Sequence, residues 1–337
     1  MNDQQRFNLV QYRPDQAGGM VESFFFKTAD PQRGASLWIK FTILKPEDGG
    51  PARASVWATR VVANNAARSI GMRNEFPVED WNFEEEKVGL VAGPCAFGDG
   101  FTHGRLEDAF GRVIEWDIKL DGGRELMIYP HKWMLTKAFP RFKTWTPYAD
   151  TIANGHFTVE GARTEVQNLR AMQGHNWGNA HTTHYAWSHC NTFDNAPDTV
   201  FEGFSARMSM GGKETPFLTM AVLRHEGKDY KFNRLRKVRA KESTMNRQCW
   251  SFTMEDQGLQ LMGMVIGHRH DFAGLVYPNP DGTEKLCVNT GVANANVELS
   301  RIKDGEVLAK LTTTRGAMLE LISPDPWFDV CVQIPGH

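Results

Sequence analysis

Apolar and polar residues alternate with a period of two along most of the chain, a pattern that predicts strands rather than helices. Leu37, Ile39, Phe41 and Ile43 fall on one face and Lys40 and Thr42 on the other, as expected of a half-buried strand. Turn signals separate such runs. Asp121-Gly122-Gly123, Glu160-Gly161, Glu226-Gly227, Asp281-Gly282 and Asp304-Gly305 each supply residues that tolerate positive φ at a tight hairpin. Ala63–Ile70 and Trp81–Val88 have room for short helical or irregular segments, and neither carries a sustained 3.6-residue stripe. The expected fold is all-β, built as a sandwich or barrel from many short strands.

Length changes this picture first. A chain of 337 residues exceeds what one compact core comfortably serves, so two β-domains are expected. The Pro-rich, aromatic stretch Tyr129–Pro147 reads as an ordered crossover between them. A boundary between there and Gly174 gives an N-terminal domain of residues 1–170 and a C-terminal domain of residues 171–337. The 10 Trp, 21 Phe and 14 Met, set among 31 Gly, fit a β-protein with a large apolar interior.

Charge and motifs mostly exclude. A net charge of -2 gives no electrostatic reason to bind nucleic acid or an anionic membrane, and the basic run Lys231–Lys241 reads as a solvated edge. The amino terminus is not built as a signal peptide, and no apolar run is long enough to cross a bilayer as a helix. Five scattered cysteines without a CxxC pair fit free thiols in a cytoplasmic protein. No GxGxxG, Walker loop, GxSxG elbow or HExxH occurs, so no nucleotide or other cofactor is expected.

One region concentrates chemistry. From Gly174 the chain reads GHNWGNAHTTHYAWSHCN, holding His175, His181, His184 and His189 with Trp177 and Trp187. As a strand, Tyr185, Trp187 and His189 share an aromatic face that is expected to point inward. There His189 can move a proton, or it can be a core histidine bonded to a backbone carbonyl. On the next strand Glu202 shares a face with Val200, Phe204 and Ala206. Arg224, on the strand after, is within reach of pairing with it. Glu202 is thus either a general acid or an orienting group. Met262, Met264, Ile266, His268 and His270 alternate on a further face that suits a greasy ligand. Those two histidines, joined by His184 or His189, give a minority reading as a three-His metal site, although no carboxylate stands at a matching spacing.

These residues also resemble a known family. The GHNWG run and the aromatic strand ending in His189-Cys190-Asn191 resemble the AttH-like group of lipocalin-like proteins. That group includes carotenoid 1,2-hydratases and, more distantly, tocopherol cyclases. Ser36–Phe41, Gly155–Gly161 and Phe201-Glu202-Gly203 match in the same order. The resemblance implies two packed lipocalin-like β-barrel or sandwich domains and a hydrophobic cavity. It also implies enzymes that add water across, or cyclise onto, an isoprenoid double bond without a redox cofactor. The group's hydratases carry a catalytic aspartate immediately before the His-Asn pair, where this chain has Gly174.

The leading expectation is a cofactor-independent acid–base enzyme acting on a hydrophobic unsaturated isoprenoid or aromatic small molecule. His175 and His189 are the expected proton-transfer groups, with Glu202 as acid or orienter. Trp177, Tyr185 and Trp187 form the expected wall, with Met264 and His268 as further lining. Asn176 and Arg224 are expected to hold a polar substrate group. Hydration, cyclisation, isomerisation and bond cleavage stay open. So does a lipocalin-like carrier that binds an apolar ligand and does no chemistry, a reading that Gly174 favours.

Overall fold

The computed structural model describes residues 6–78, 82–83, 89–207, 209–210, 213–324, 330 and 332–334. The fold is all-β as expected, with two large antiparallel sheets and one short parallel contact, Gly274 and Leu275 against Val332 and Ile334. Ala63–Ile70 holds a single 3-10 turn at Ala66–Arg68. Trp81–Val88 lies mostly outside the described residues.

The first sheet runs from Ile70–Pro77 through Arg53–Val62, Ala35–Lys45 and Met20–Asp30 to Ala162–Gly178, then through Phe142–Val159 and Val113–Leu126 to the short strands beyond. The second centres on His184–Cys190. Val200–Arg207 and Leu218–His225 lie on one side of it, and Val307–Ile322 and Glu284–Arg301 on the other. Among the described residues neither order of strands returns on itself. The chain changes sheet between Gly178 and His184, so residues 171–178 hydrogen-bond within the first sheet.

Two expectations about connections are corrected. Tyr129–Pro147 does not link the sheets; it joins Val113–Leu126 to Phe142–Val159, which are neighbours in the first. Asp121-Gly122-Gly123 is a bulge inside one long strand and not a hairpin. Its partner strand pairs on both sides of it, Asp150 with Arg124 and Ile152 with Asp121, and Thr151 Oγ1 donates to the Asp121 and Gly122 carbonyls. Glycine suits the spot because Gly123 has φ +119 and a Cβ there would meet the Tyr148 ring at 2.6 Å. Glu160-Gly161 and Glu226-Gly227 do turn hairpins, closing Val159 on Ala162 and His225 on Lys228.

Strand alternation sorts side chains into three cores. Phe24, Phe26, Leu37, Ile39 and Phe41 pack on one face of the first sheet with Trp116 and Trp145. Phe201, Trp250, Phe252, Leu261 and Leu319 do the same in the second. The opposite faces then meet in a seam, where Phe25, Trp38, Trp57 and Met172 pack with Tyr277, Val292 and Ile322, and with Tyr185 and Trp187 at its margin. Burial at ~25 cal/mol per Å2 makes such aromatic contacts the dominant adhesive between sheets. Lys40 and Thr42 therefore do not face water as a half-buried strand would have them. Both are 5% exposed because the second sheet covers their face.

Candidate active site

A cavity of about 110 Å3 opens in this seam. Period-two alternation along Met20–Asp30 directs Ser23, Phe25 and Lys27 into it, and Ala35–Lys45 adds Trp38 and Lys40. From the second sheet come Tyr185 and Trp187 on one strand, Phe204 and Ala206 on the next, and Glu320 behind them. A void this size is below the ~150 Å3 of an apolar cavity that takes up benzene, so it is far too small to enclose a long polyene.

The cavity has a polar floor centred on Glu320. Its carboxylate accepts hydrogen bonds from Tyr185 Oη, from Asn289 Nδ2 at 2.8 Å and from Tyr277 Oη at 3.3 Å. Lys27 Nζ stands 3.9 Å from Glu320 Oε2 and 4.4 Å from the Trp187 ring centroid. Burial alone would raise the Glu320 pKa, but Lys27 and Lys40, with the Tyr185 and Asn289 bonds, outweigh it and hold the group below the ordinary value. Burial pushes Tyr185 well above the ordinary phenol range and the Glu320 charge adds to this, so Tyr185 keeps its proton. Lys27 is lowered by burial against the pull of Glu320. Lys40 is lowered to about 8 for the same reasons.

The expected residues fall into groups. Tyr185, Trp187 and Asn176 line the cavity, and Asn176 Oδ1 is buried without a hydrogen-bond partner among the described residues. His175 and Trp177 neighbour Asn176 in sequence and therefore point to the other face of the sheet. There His175 stacks on Phe24 at 4.0 Å and on Trp177 at 4.5 Å within the first core. His189 is 1% exposed and its Nε2 bonds the Ala149 carbonyl at 2.8 Å. Burial lowers its pKa to about 4, so it is neutral and donates that bond, as a core histidine bonded to a backbone carbonyl does.

Glu202 is fully buried behind Trp187, 3.2 Å from the indole Nε1, and accepts a bond from Thr146 Oγ1 at 2.9 Å. Burial raises its pKa to about 7 although both bonds oppose the rise. Arg224 does not pair with it; its Nε donates to Asp229 Oδ1 at 2.7 Å and its Nη2 to the Glu125 carbonyl at 3.1 Å. Met264 and His268 do not line this cavity. Met264 is 41% exposed because Leu261, Gly263 and Val265 take the inward positions of that strand, and His268 is exposed just past its end. Among the described residues no group of three or more His, Cys, Asp or Glu is arranged to hold a metal ion. The rings of His268 and His270 stand 5.7 Å apart and tilted by 48° to each other.

Sequence reading missed Lys27, Lys40, Tyr277, His181 as a lining residue, and Glu320. A signal existed for two of them. Lys40 interrupts Leu-Trp-Ile-Lys-Phe and Glu320 interrupts Met-Leu-Glu-Leu-Ile, single charges in apolar strands. Gly174 faces the cavity side too, and a Cβ there would meet the Phe25 ring at 2.3 Å. Phe25 thus fills the space next to the position where the resembling hydratases carry their aspartate.

The tocopherol cyclase-like family matches residues 126–321, more than half of the chain. Uncharacterized proteins of two Mycobacterium tuberculosis strains are 22% identical over 286 residues, covering 84% of this chain and 82% of theirs. The crystal structure of kievitone hydratase from Nectria haematococca shares the fold. It covers 94% of this chain and 93% of its own, with 9% identity and a TM-score of 0.50.

Proposed function

The chain belongs to the tocopherol cyclase-like family. On that premise we propose that it is a lyase-, hydratase- or cyclase-type enzyme acting on a hydrophobic, unsaturated, ring-bearing small molecule in the seam cavity. The observation that carries this reading is the buried cluster of Glu320, Tyr185 and Lys27 on an otherwise aromatic wall. A cavity meant only to hold an apolar ligand gains nothing from groups so costly to desolvate.

Addition of a hydroxyl across a carbon–carbon double bond needs one proton delivered to carbon and one removed from the attacking oxygen. In this reading the Lys27 ammonium delivers the first. The hydroxyl, from water or from the substrate itself, passes its proton through Tyr185 Oη to Glu320. The 3.9 Å separation of Lys27 and Glu320 then lets the proton return, so no net proton is consumed. Trp38, Trp187 and Phe25 shield positive charge developing on carbon. These side chains supply every proton-transfer group the step requires. His175 and His189 have no part in it, and Glu202 acts through Trp187 as an orienting group.

The test is incubation of the protein with a panel of unsaturated single-ring compounds, read by mass spectrometry and chromatography. A product with the mass of water added, or an isomer with changed retention, is expected. Glu320→Gln should lower its rate by ~10²–10⁴-fold. Recovery of bound but unchanged ligand from wild type and variant alike would instead make the protein a carrier.

A further inference from the structure

We propose that Lys40 anchors a carboxylate of the ligand, so that the cavity takes a small amphipathic acid rather than a wholly hydrocarbon isoprenoid; this inference rests on the seam cavity being the ligand site. The argument is one of charge balance. Two ammonium groups, Lys27 and Lys40, share this cavity with one carboxylate, Glu320. Lys27 takes that carboxylate at 3.9 Å. Lys40 Nζ instead lies 3.8 Å from the Tyr277 ring centroid and 5.4 Å from those of Trp38 and Trp57. Among the described residues no carboxylate stands within ion-pair distance of it.

Aromatic faces recover only part of what burial removes. A desolvated cation–π contact contributes ~2 kcal/mol, while the effective penalty for a buried ion is several kcal/mol. The remaining neighbours add no negative charge. Tyr277 is held protonated by burial and donates to Glu320, and His181 is kept neutral by burial with Lys40 adding to the effect. With a value of about 8, Lys40 is still mostly an ammonium at neutral pH. A cation that shares Glu320 with Lys27 at longer range, with an open, aromatic-walled space in front of it and no carboxylate within ion-pair distance among the described residues, is matched by an anion on the ligand. Trp38, two residues along on the same strand face, lines the same wall, and its buried indole Nε1 has no hydrogen-bond partner among the described residues. The ammonium suits a ligand carboxylate through a charge-assisted hydrogen bond.

The experiment compares phenylacetate, phenylacetamide and p-cresol by calorimetric titration of the full-length protein. Phenylacetate is expected to bind at least ~10-fold more tightly than the amide, the worth of one charge-assisted hydrogen bond. Lys40→Met should remove that preference while amide binding persists, and Lys40→Arg should keep part of it. Equal binding of acid and amide to the wild type, which needs no variant to fold, overturns the carboxylate inference alone. A preference that survives Lys40→Met, or p-cresol binding above phenylacetate, overturns it as well. Ala206→Trp, which fills the cavity, separates the underlying premise. If all three probes bind that folded variant unchanged, the ligand site lies elsewhere and both readings fall.

Discussion

His175 Nε2 lies 2.7 Å from Glu22 Oε1, both side chains are buried, and the pair faces away from the cavity into the first core. Its Nδ1 is 2.8 Å from the Phe7 carbonyl, and the Glu22 carboxylate also accepts from the backbone N–H of Gln11 and of Tyr12. The pair therefore ties residues 7–12 to the sheet. Breaking a buried pair costs up to ~3–5 kcal/mol, and here the Glu22 carboxylate would keep only its two backbone N–H donors. His175→Ala should lower the unfolding free energy by about that much in urea titration and open residues 7–12 to limited proteolysis. The folded fraction should still bind single-ring probes. Normal stability with lost turnover would instead return His175 to the catalytic role expected from sequence.

Gly174 tests the family's acid position directly. Gly174→Asp should not install a working acid, because its Cβ would enter the Phe25 ring. Overpacking of this kind costs ~1–3 kcal/mol, so the single variant should melt lower than wild type. Gly174→Asp with Phe25→Ala should recover part of the loss if the ring is the obstacle. Additive losses in the two variants would show that it is not.

Lys27 and Glu320 depend on each other, and a double-mutant cycle measures by how much. Glu320→Gln leaves Lys27 buried without its anion, and Lys27→Met leaves Glu320 without its cation. Each should destabilise by more than the double variant does on a per-residue basis, with a coupling of ~1–3 kcal/mol in thermal or urea unfolding. Tyr185→Phe removes only a hydroxyl. Under the relay proposed above it should lower turnover while leaving probe affinity within ~3-fold, less than the loss of a charged bond.

Glu202 sets a pH dependence. Its folded pKa of about 7 lies above its ordinary 4.5, because burial penalises the charged form. The stability this contributes is complete below 4.5 and is lost as pH rises through 7. Over that window the difference amounts to ~3 kcal/mol. Glu202→Gln, which keeps an acceptor for Thr146, should flatten the fall in unfolding free energy across this range relative to wild type. Identical slopes would mean that Glu202 is not the titrating group.

Met264 and His268 should prove dispensable. Met264→Ser and His268→Ala alter exposed positions away from the cavity and should change stability by no more than ~0.5 kcal/mol. Probe affinity should not move. A loss of binding in either would place the ligand against the outer face of the second sheet.

Local sequence determined a good deal here. Period-two alternation and most of the Gly-bearing turns fix strands and hairpins, since side-chain parity and positive φ are properties of a few neighbouring residues; Asp121-Gly122-Gly123, a bulge, is the exception. Parity alone put Tyr185, Trp187 and His189 on one face, and all three share it in the fold. The GHNWG segment likewise marked a strand that passes the cavity. Local sequence left undecided which face of each strand a second sheet would cover. His175 and Asn176 are adjacent in sequence, yet one sits in a core and the other on the cavity wall. Lys40 appeared to face water until the second sheet was laid over it. Glu320 reaches Lys27 across nearly the whole chain, from an apolar strand in the other sheet. Desolvation and charge pairing arise only when distant segments pack, so the chemistry of this site belongs to the tertiary structure, and the strands that carry it belong to the sequence.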